Sequence, residues 1–282
     1  MILGARGFVP RALRVRLETQ GIPILALGSA DLDLAAPSSA SQLASHLNEH
    51  DALVMTAALT PEKGRDPATL ITNLRMAETV AAALVKRPCA HLVYFSSDAI
   101  YGPSVSEIRE ATTTAPNDLY GVMHLSRELI LAQAAATAGV PFCALRPCAI
   151  YGGGDTHNSY GPNRFVRSAL TEGKIRLFGE GEEIRDHVFI DDVIDLTLRV
   201  LAHRSTGSLN LVSAKPLSFA AVAAEIGRLL DGKIQFDNLA RTSPVTHRTF
   251  EPFAIKAAFP DFSATALVVG LDATLSALRS RL

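Results

Sequence analysis

Short apolar runs alternate with longer amphipathic stretches from the first residue onward, and this alternation constrains the fold more than any other feature. Such a chain forms a parallel sheet flanked by helices. Strands are expected at Met1–Leu3, Ile22–Leu27, Ala52–Met55, His91–Phe95 and Phe142–Leu145. The helices between them fall at Phe8–Thr19, Ser41–Asn48, Pro67–Lys86 and Leu119–Ala138. Asp66-Pro67 opens the third helix well, because Asp caps a helix and Pro suits its first turn.

After Arg146-Pro147 the texture changes. Gly and Asn punctuate Tyr151–Asn163, and helices are expected at Arg164–Thr171, Asp191–Ala202, Phe219–Leu230 and near Ala273–Arg281. Short strands fit Lys174–Phe178, Asp186–Ile190, Ser208–Val212 and Lys233–Phe236. The expected division is a first domain over 1–150 and a smaller lobe over 151–282, with 191–212 returning to the first sheet. Only three residues precede Gly4, fewer than the usual five or six of a strand; an upstream start or a tolerated truncation would each account for it.

The 282 residues suffice for a large core. A formal charge of −1 gives no electrostatic reason to expect nucleic acid or an anionic membrane as a partner. No apolar run approaches the ~20 residues that span a bilayer, and nothing reads as a signal peptide. Cys89, Cys143 and Cys148 suit small buried hydrophobes rather than a disulfide framework, and no metal site is expected. A cytoplasmic setting follows.

The segment Val93–Glu128 carries the chemistry. Val93-Tyr94-Phe95-Ser96-Ser97-Asp98-Ala99-Ile100-Tyr101-Gly102 ends a buried run in hydroxyls, and Tyr120-Gly121-Val122-Met123-His124 opens a helix. A Tyr with a basic residue one turn later, near a Ser, is a layout for moving a proton and a hydride. The segment resembles the extended short-chain dehydrogenases/reductases, which comprise nucleotide-sugar epimerases, dehydratases and reductases. The resemblance implies a Rossmann-type doubly wound parallel sheet with a small C-terminal α/β substrate lobe.

It also implies roles. Ser97 would hydrogen-bond the substrate oxygen and Tyr120 would be the acid/base. The family's Tyr-x-x-x-Lys has His124 at its Lys position. A Tyr of pKa ~10 needs cationic help to act near neutral pH, whereas about a quarter of a free His is charged at pH 7. Glu128, on the same helix face, would raise that fraction. Three readings stay open: His124 binds ribose in a retuned enzyme, Arg127 leans in with the missing charge, or the fold serves cofactor binding with weak or no turnover. Asp98-Ala99 stands where dehydratases carry Asp-Glu, which favours epimerase or reductase.

Gly4-Ala5-Arg6-Gly7-Phe8-Val9-Pro10 sits at the first strand–helix junction, where backbone N–H groups can approach a pyrophosphate. It resembles the family's glycine loop with Pro10 for the third Gly. No acid ends strand two at Gly28-Ser29, and Arg6 could reach a 2′-phosphate; both favour NADP, with NAD the alternative and a solvated Arg6 the bland reading. By resemblance, Asp33 and Leu34 line the adenine and Ala57 and Ala58 let the cofactor lie close. Tyr120, His124 and Pro147 flank the nicotinamide, and Asn73 ties the central strands together.

The substrate end resembles the family through Gly161-Pro162-Asn163-Arg164, Ile175-Arg176-Leu177-Phe178-Gly179 and Arg185-Asp186-His187-Val188. Ser97, Asp98, Asn163, Phe178 and Arg185 are the expected contacts to a nucleotide-sugar substrate. Arg185 offers a planar fork for a diphosphate, or it pairs with Asp191 or Asp192; Asp191 is expected to cap its helix. A homodimer is expected through the helices Pro67–Lys86 and Leu119–Ala138, with Ala81, Ala82, Ala134, Ala135 and Ala136 on the contacting face.

Overall fold

The computed structural model describes residues 1–103 and 105–280. Its elements begin with β1 (Ile2–Leu3), α1 (Phe8–Thr19), β2 (Ala26–Leu27), α2 (Ser39–His46), β3 (Ala52–Met55), α3 (Pro67–Lys86), β4 (His91–Phe95), α4 (Leu119–Ala138) and β5 (Phe142–Pro147). They continue with β6 (Ala149–Tyr151), α5 (Pro162–Glu172), β7 (Lys174–Phe178), β8 (Ile184–Arg185), β9 (His187–Phe189), α6 (Ile190–His203) and β10 (Gly207–Leu211). Last come β11 (Leu217–Ser218), α7 (Phe219–Leu229), β12 (Gln235–Leu239), α8 (Phe253–Ala258) and α9 (Leu267–Arg279). Arg281, the expected end of the final helix, lies outside the described residues.

Two compact units emerge. The first comprises Met1–Gly102, Glu110–Pro147 and Ile194–Asn210, and the second holds the rest of the described residues. Unit 1 is built on a six-stranded sheet in the order β10-β5-β4-β3-β1-β2, with β2, β1, β3, β4 and β5 mutually parallel. All five residues of β4 are buried. A parallel strand covered on both faces needs such a continuous apolar run, not an alternating one. The segments that matter chemically leave the carboxyl ends of these strands, which is where open α/β sheets bind ligands.

Three expectations need correction in unit 1. The run Ile22–Leu27 contributes only Ala26–Leu27 to the sheet; Pro23 has no N–H for a ladder, and Ile22 and Leu25 are exposed. Ala134 and Ala135 face the core, whereas Ala82 and Ala136 are exposed, and the exposed large apolar residues of the long helices are Ile71 and Val85 on α3 and Leu119 and Leu129 on α4. Finally, α3 is by length and composition apolar enough to cross a membrane. Its buried face, with Asn73, Ala77, Val80, Ala83 and Leu84, packs in unit 1 against α4 and α2.

Unit 2 is built from short pairs: β6 with β9 and β7 with β12 are parallel, and β8 with β11 is antiparallel. The single strand expected at Asp186–Ile190 is instead two, β8 and β9, flanking Asp186. That buried carboxylate accepts from the Ser213 N–H at 2.9 Å and its hydroxyl at 2.7 Å, so a polar anchor interrupts the run. Asp191 lies inside the first turn of α6 rather than before it, so it is not the residue preceding the helix.

Candidate active site

The site in unit 1 begins with two glycines. Gly4 has φ +94°, a conformation that disfavours other residues, and a Cβ there would stand 2.7 Å from the Ala57 nitrogen. The exits of β1 and β3 therefore touch. Gly7 caps α1 without any side chain over the first turn, and helix-start N–H groups have no intrahelical partner. A third glycine, Gly121, stands where a Cβ would meet the Ala99 carbonyl at 2.4 Å. Only a bare Cα lets the turn after β4 press against α4.

That contact brings Ser97 and Tyr120 together. Asp118 caps α4 by accepting from the Gly121 N–H at 2.8 Å, which fixes the turn bearing Tyr120. Ser97 caps the short 3-10 turn Asp98–Ile100, accepting from the Ala99 N–H at 3.1 Å. The Ser97 hydroxyl lies beside the Tyr120 phenol and favours its ionised form. Burial pushes the Tyr120 phenol up to about 12; Ser97 pulls it down, while Asp98 and Glu62 add to the rise. Tyr120 also walls a cleft of about 100 Å³ with Leu59, Asp66, Thr69, Asn73 and Met123.

His124 is 3% exposed. Its ring meets Tyr120 edge to face at 4.6 Å, and its Nδ1 is hydrogen-bonded to the Tyr94 hydroxyl at 2.7 Å. Nε2 is buried with no partner. Burial, then the Arg127 charge, holds the imidazole well below its usual pKa, so it is neutral at pH 7. The expected partial charge is absent, and the expected help from Glu128 is absent too. Glu128 instead grips Arg146 of β5 through two bonds of 3.1 and 2.7 Å, and Arg146 also donates to the Tyr101 hydroxyl at 2.9 Å.

Arg127 is completely buried. It donates to the Ala57 carbonyl at 2.6 Å and to Asn73 Oδ1 at 3.5 Å, and its guanidinium carbon lies 5.0 Å from the Tyr94 ring centre. Asn73 exchanges two bonds with the Leu59 backbone, 2.9 and 3.0 Å, and so fixes the loop after β3. Tyr94 is the member of this group that sequence reasoning missed. Period-two alternation along β4 gives its face but not its partner.

Around β2 the sequence reading is incomplete. The Asp31 carboxylate folds back to accept from the Gly28 N–H at 2.8 Å. A Cβ at Gly28 would lie 3.5 Å from both Asp31 Oδ2 and Arg6 Nε, so an acid and a base flank this position. Asp33 is exposed and accepts from the Ala35 N–H at 3.0 Å, while Phe8 and Leu34 are core residues. Val9, Ala57, Ala58 and Pro147 are half-buried at or beyond strand exits.

Unit 2 holds the other expected residues. Arg185 is engaged by Glu183 and by the carbonyl and hydroxyl of Thr246, and Asp192 binds Thr265. Asn163 spends its carbonyl on the Gly152 N–H at 2.9 Å. Phe178 is 38% exposed and packs on Tyr160 at 5.0 Å.

Fold and site together define a doubly wound α/β protein with a Ser–Tyr pair at the carboxyl end of its sheet. The chain belongs to the NAD dependent epimerase/dehydratase family, which it matches over residues 1–211. Solved structures with the same fold include RMD from Pseudomonas aeruginosa complexed with NADPH, 24% identical, with a TM-score of 0.86 over 100% of this chain and 99% of that one. MoeE5 in complex with UDP-glucuronic acid and NAD is 24% identical, with a TM-score of 0.87 over 100% and 99%. The UDP-glucose 4-epimerase of Thermus thermophilus, in complex with NAD, is 16% identical with a TM-score of 0.87 over 100% and 99%.

Proposed function

We propose that this protein interconverts a carbonyl and an alcohol on a nucleoside-diphosphate sugar, as an NADP-dependent reductase or epimerase, with NAD the alternative. The juxtaposed pair Ser97–Tyr120, aligned by Gly121 and Asp118, carries this reading. The neighbouring structures, with NAD, NADPH and UDP-glucuronic acid bound, support the ligand classes.

The residues fit a dinucleotide. Gly4, Gly7, Phe8 and Val9 would receive its phosphates at the start of α1, and Arg6 the adenosine 2′ position. Asp33 and Leu34 would line the adenine, and Ala57, Ala58 and Pro147 would flank the remainder, with the orphaned His124 Nε2 left for a ribose hydroxyl. When bound, the nicotinamide accepts or donates the hydride at the sugar carbon. Ser97 holds the sugar oxygen by a hydrogen bond. In reduction the Tyr120 O–H gives its proton to that oxygen as the carbonyl becomes a hydroxyl, and in oxidation the Tyr120 phenolate takes it back. Ala99 leaves no second carboxylate beside Asp98, which disfavours dehydration.

Asn163, Phe178 and Arg185 belong to the substrate lobe of this reading. Because Glu183 and Thr246 occupy the Arg185 fork, its service to a diphosphate requires an exchange of partners. The setting is the cytoplasm, and the protein is a homodimer through α3 and α4, where light scattering at micromolar concentration should give twice the monomer mass.

NADPH consumption with a panel of keto-sugar nucleotides, and product epimerisation followed by NMR, test the activity. Tyr120→Phe should lower kcat at least ~10²-fold with cofactor affinity nearly intact. A neutral His124 favours one rival, a cofactor-binding protein without turnover. Tight NADPH binding with no conversion of any substrate would establish that rival.

A further inference from the structure

Arg127 is an anomaly in unit 1. A guanidinium stays protonated at any ordinary pH, and a fully buried one is normally paired with a carboxylate. Here its partners are the Ala57 carbonyl, the Asn73 amide oxygen, and the sulfurs of Met123 and Met55, and its Nε has none. No carboxylate among the described residues forms an ion pair with it. The nearest acid in sequence, Glu128, is committed to Arg146.

The surroundings show what the charge faces. Tyr120, Met123, His124 and Arg127 stand at i, i+3, i+4 and i+7, one stripe of α4. A helical side chain leans toward the N-terminus of its helix, which carries the guanidinium back toward the turn of His124. There the Met123 sulfur is 3.6 Å from its NH1, and the Tyr94 ring lies beneath its carbon at 5.0 Å. Tyr94 in turn holds His124, whose ring abuts Tyr120. The buried cation thus sits behind a layer of two phenols and one imidazole.

Taking Tyr120 as the acid/base proposed above, we infer that Arg127, not His124, supplies the fixed positive charge that favours the Tyr120 phenolate. His124 is then a neutral positioning residue, clamped by Tyr94, and Arg127 is a positioning residue acting through space. The direction of each neighbour's titration agrees: the Arg127 charge favours ionised Tyr94 and Tyr120 and disfavours protonated His124. The other charges in play are Asp98 and Glu62, which oppose ionisation of Tyr120, and Glu128, which opposes that of Tyr94. Through Ala57, the cation is also fixed to the exit of β3.

The test needs no substrate. The chain has five tyrosines, so 3-fluorotyrosine labelling gives five ¹⁹F resonances, and Tyr120→Phe assigns the one that matters. In Arg127→Met the phenolate fraction of Tyr120 at a fixed alkaline pH should fall about two- to three-fold, because the charge acts across the intervening rings rather than in contact. Arg127→Lys should restore most of it, and His124→Gln should change it little. If Arg127→Met does not fold, Arg127→Gln, which keeps a donor for Ala57 and drops the charge, makes the same comparison. An unmoved Tyr120 titration in the charge-free variant, or a larger response to His124→Gln than to loss of Arg127, overturns the inference. Absence of turnover alongside the shifted titration would defeat the enzyme reading and leave the electrostatics standing.

Discussion

Tyr94 Oη and His124 Nδ1 are 2.7 Å apart, a bond that joins the central strand β4 to α4 and keeps the imidazole out of water. It has a consequence for acid stability. His91, His124 and His187 are all buried, and burial holds each below its ordinary pKa, His187 down to about 4. In the unfolded chain each takes a proton near ~6.5. The unfolded state therefore binds more protons below that value, and stability falls as pH drops from ~6.5 to the folded-state pKa. His187 alone accounts for about 3 kcal/mol across the window ending at about 4, at roughly 1.4 kcal/mol per pH unit. Urea midpoints from pH 7 to 4 should decline, less steeply in His187→Gln. Equal slopes in the two proteins would refute the assignment.

Gly121→Ala should be costly despite the better helix propensity of Ala. Propensity favours the change by at most ~1 kcal/mol, whereas the added carbon lands 2.4 Å from the Ala99 carbonyl and 2.8 Å from Pro116 Cβ. Overpacking of this kind costs about 1–3 kcal/mol. Relief by separating α4 from the turn would also part Tyr120 from Ser97, and displacement of that order lowers kcat by roughly 10²-fold. Thermal melting and steady-state rates together check this; a variant with normal kcat would mean the Ser97–Tyr120 pair does not depend on the close approach.

Much of the fold was legible because long helices carry redundant signals. The bounds of α1, α3 and α4 follow from periodicity and, for α3, from Asp66-Pro67. The edge was less legible, since apolar Ile22 and Leu25 read as strand while their chain neighbour Pro23 keeps the segment from pairing. At the site, sequence places Ser97, Tyr120 and His124 on the right elements. It cannot show that Tyr94 turns toward His124, because that contact joins residues 30 apart across two elements. Arg127 stood as one open source of the missing charge, but whether it reached inward depended on contacts such as the Ala57 carbonyl, 70 residues away in sequence. Asp31 was missed for a local reason: its side chain bends back three residues to the Gly28 N–H.

Asp31 and Arg6 together set the expected cofactor preference. A 2′-phosphate beside Gly28 gains from the Arg6 guanidinium and is opposed by the Asp31 carboxylate; a ribose 2′-hydroxyl can donate to that carboxylate. Arg6→Ala should weaken NADPH about ten-fold and NADH little. Asp31→Asn should shift preference toward NADPH. Calorimetry with both nucleotides decides it, and an Asp31→Asn variant that favours NADH more than the parent does would reverse the assignment.

Two buried arginines make the sharpest stability contrast. Arg146 is paired with Glu128, both about one-tenth exposed, and also serves Tyr101 and the Glu110 carbonyl. Arg146→Met strands a buried carboxylate, which costs about 3–5 kcal/mol and lowers Tm by on the order of 10 °C. Arg127 has no carboxylate to strand. Its removal leaves one strong orphan, the Ala57 carbonyl at about 1–3 kcal/mol, against relief of a buried, uncompensated charge worth several kcal/mol. Arg127→Met should therefore hold or raise Tm, and the same variant should lose phenolate at Tyr120. A residue kept at a cost in stability is the pattern of a functional charge. Calorimetric scans of both variants read out the difference. If Arg127→Met melts as far below the parent as Arg146→Met does, the guanidinium is a structural tie between α4 and β3.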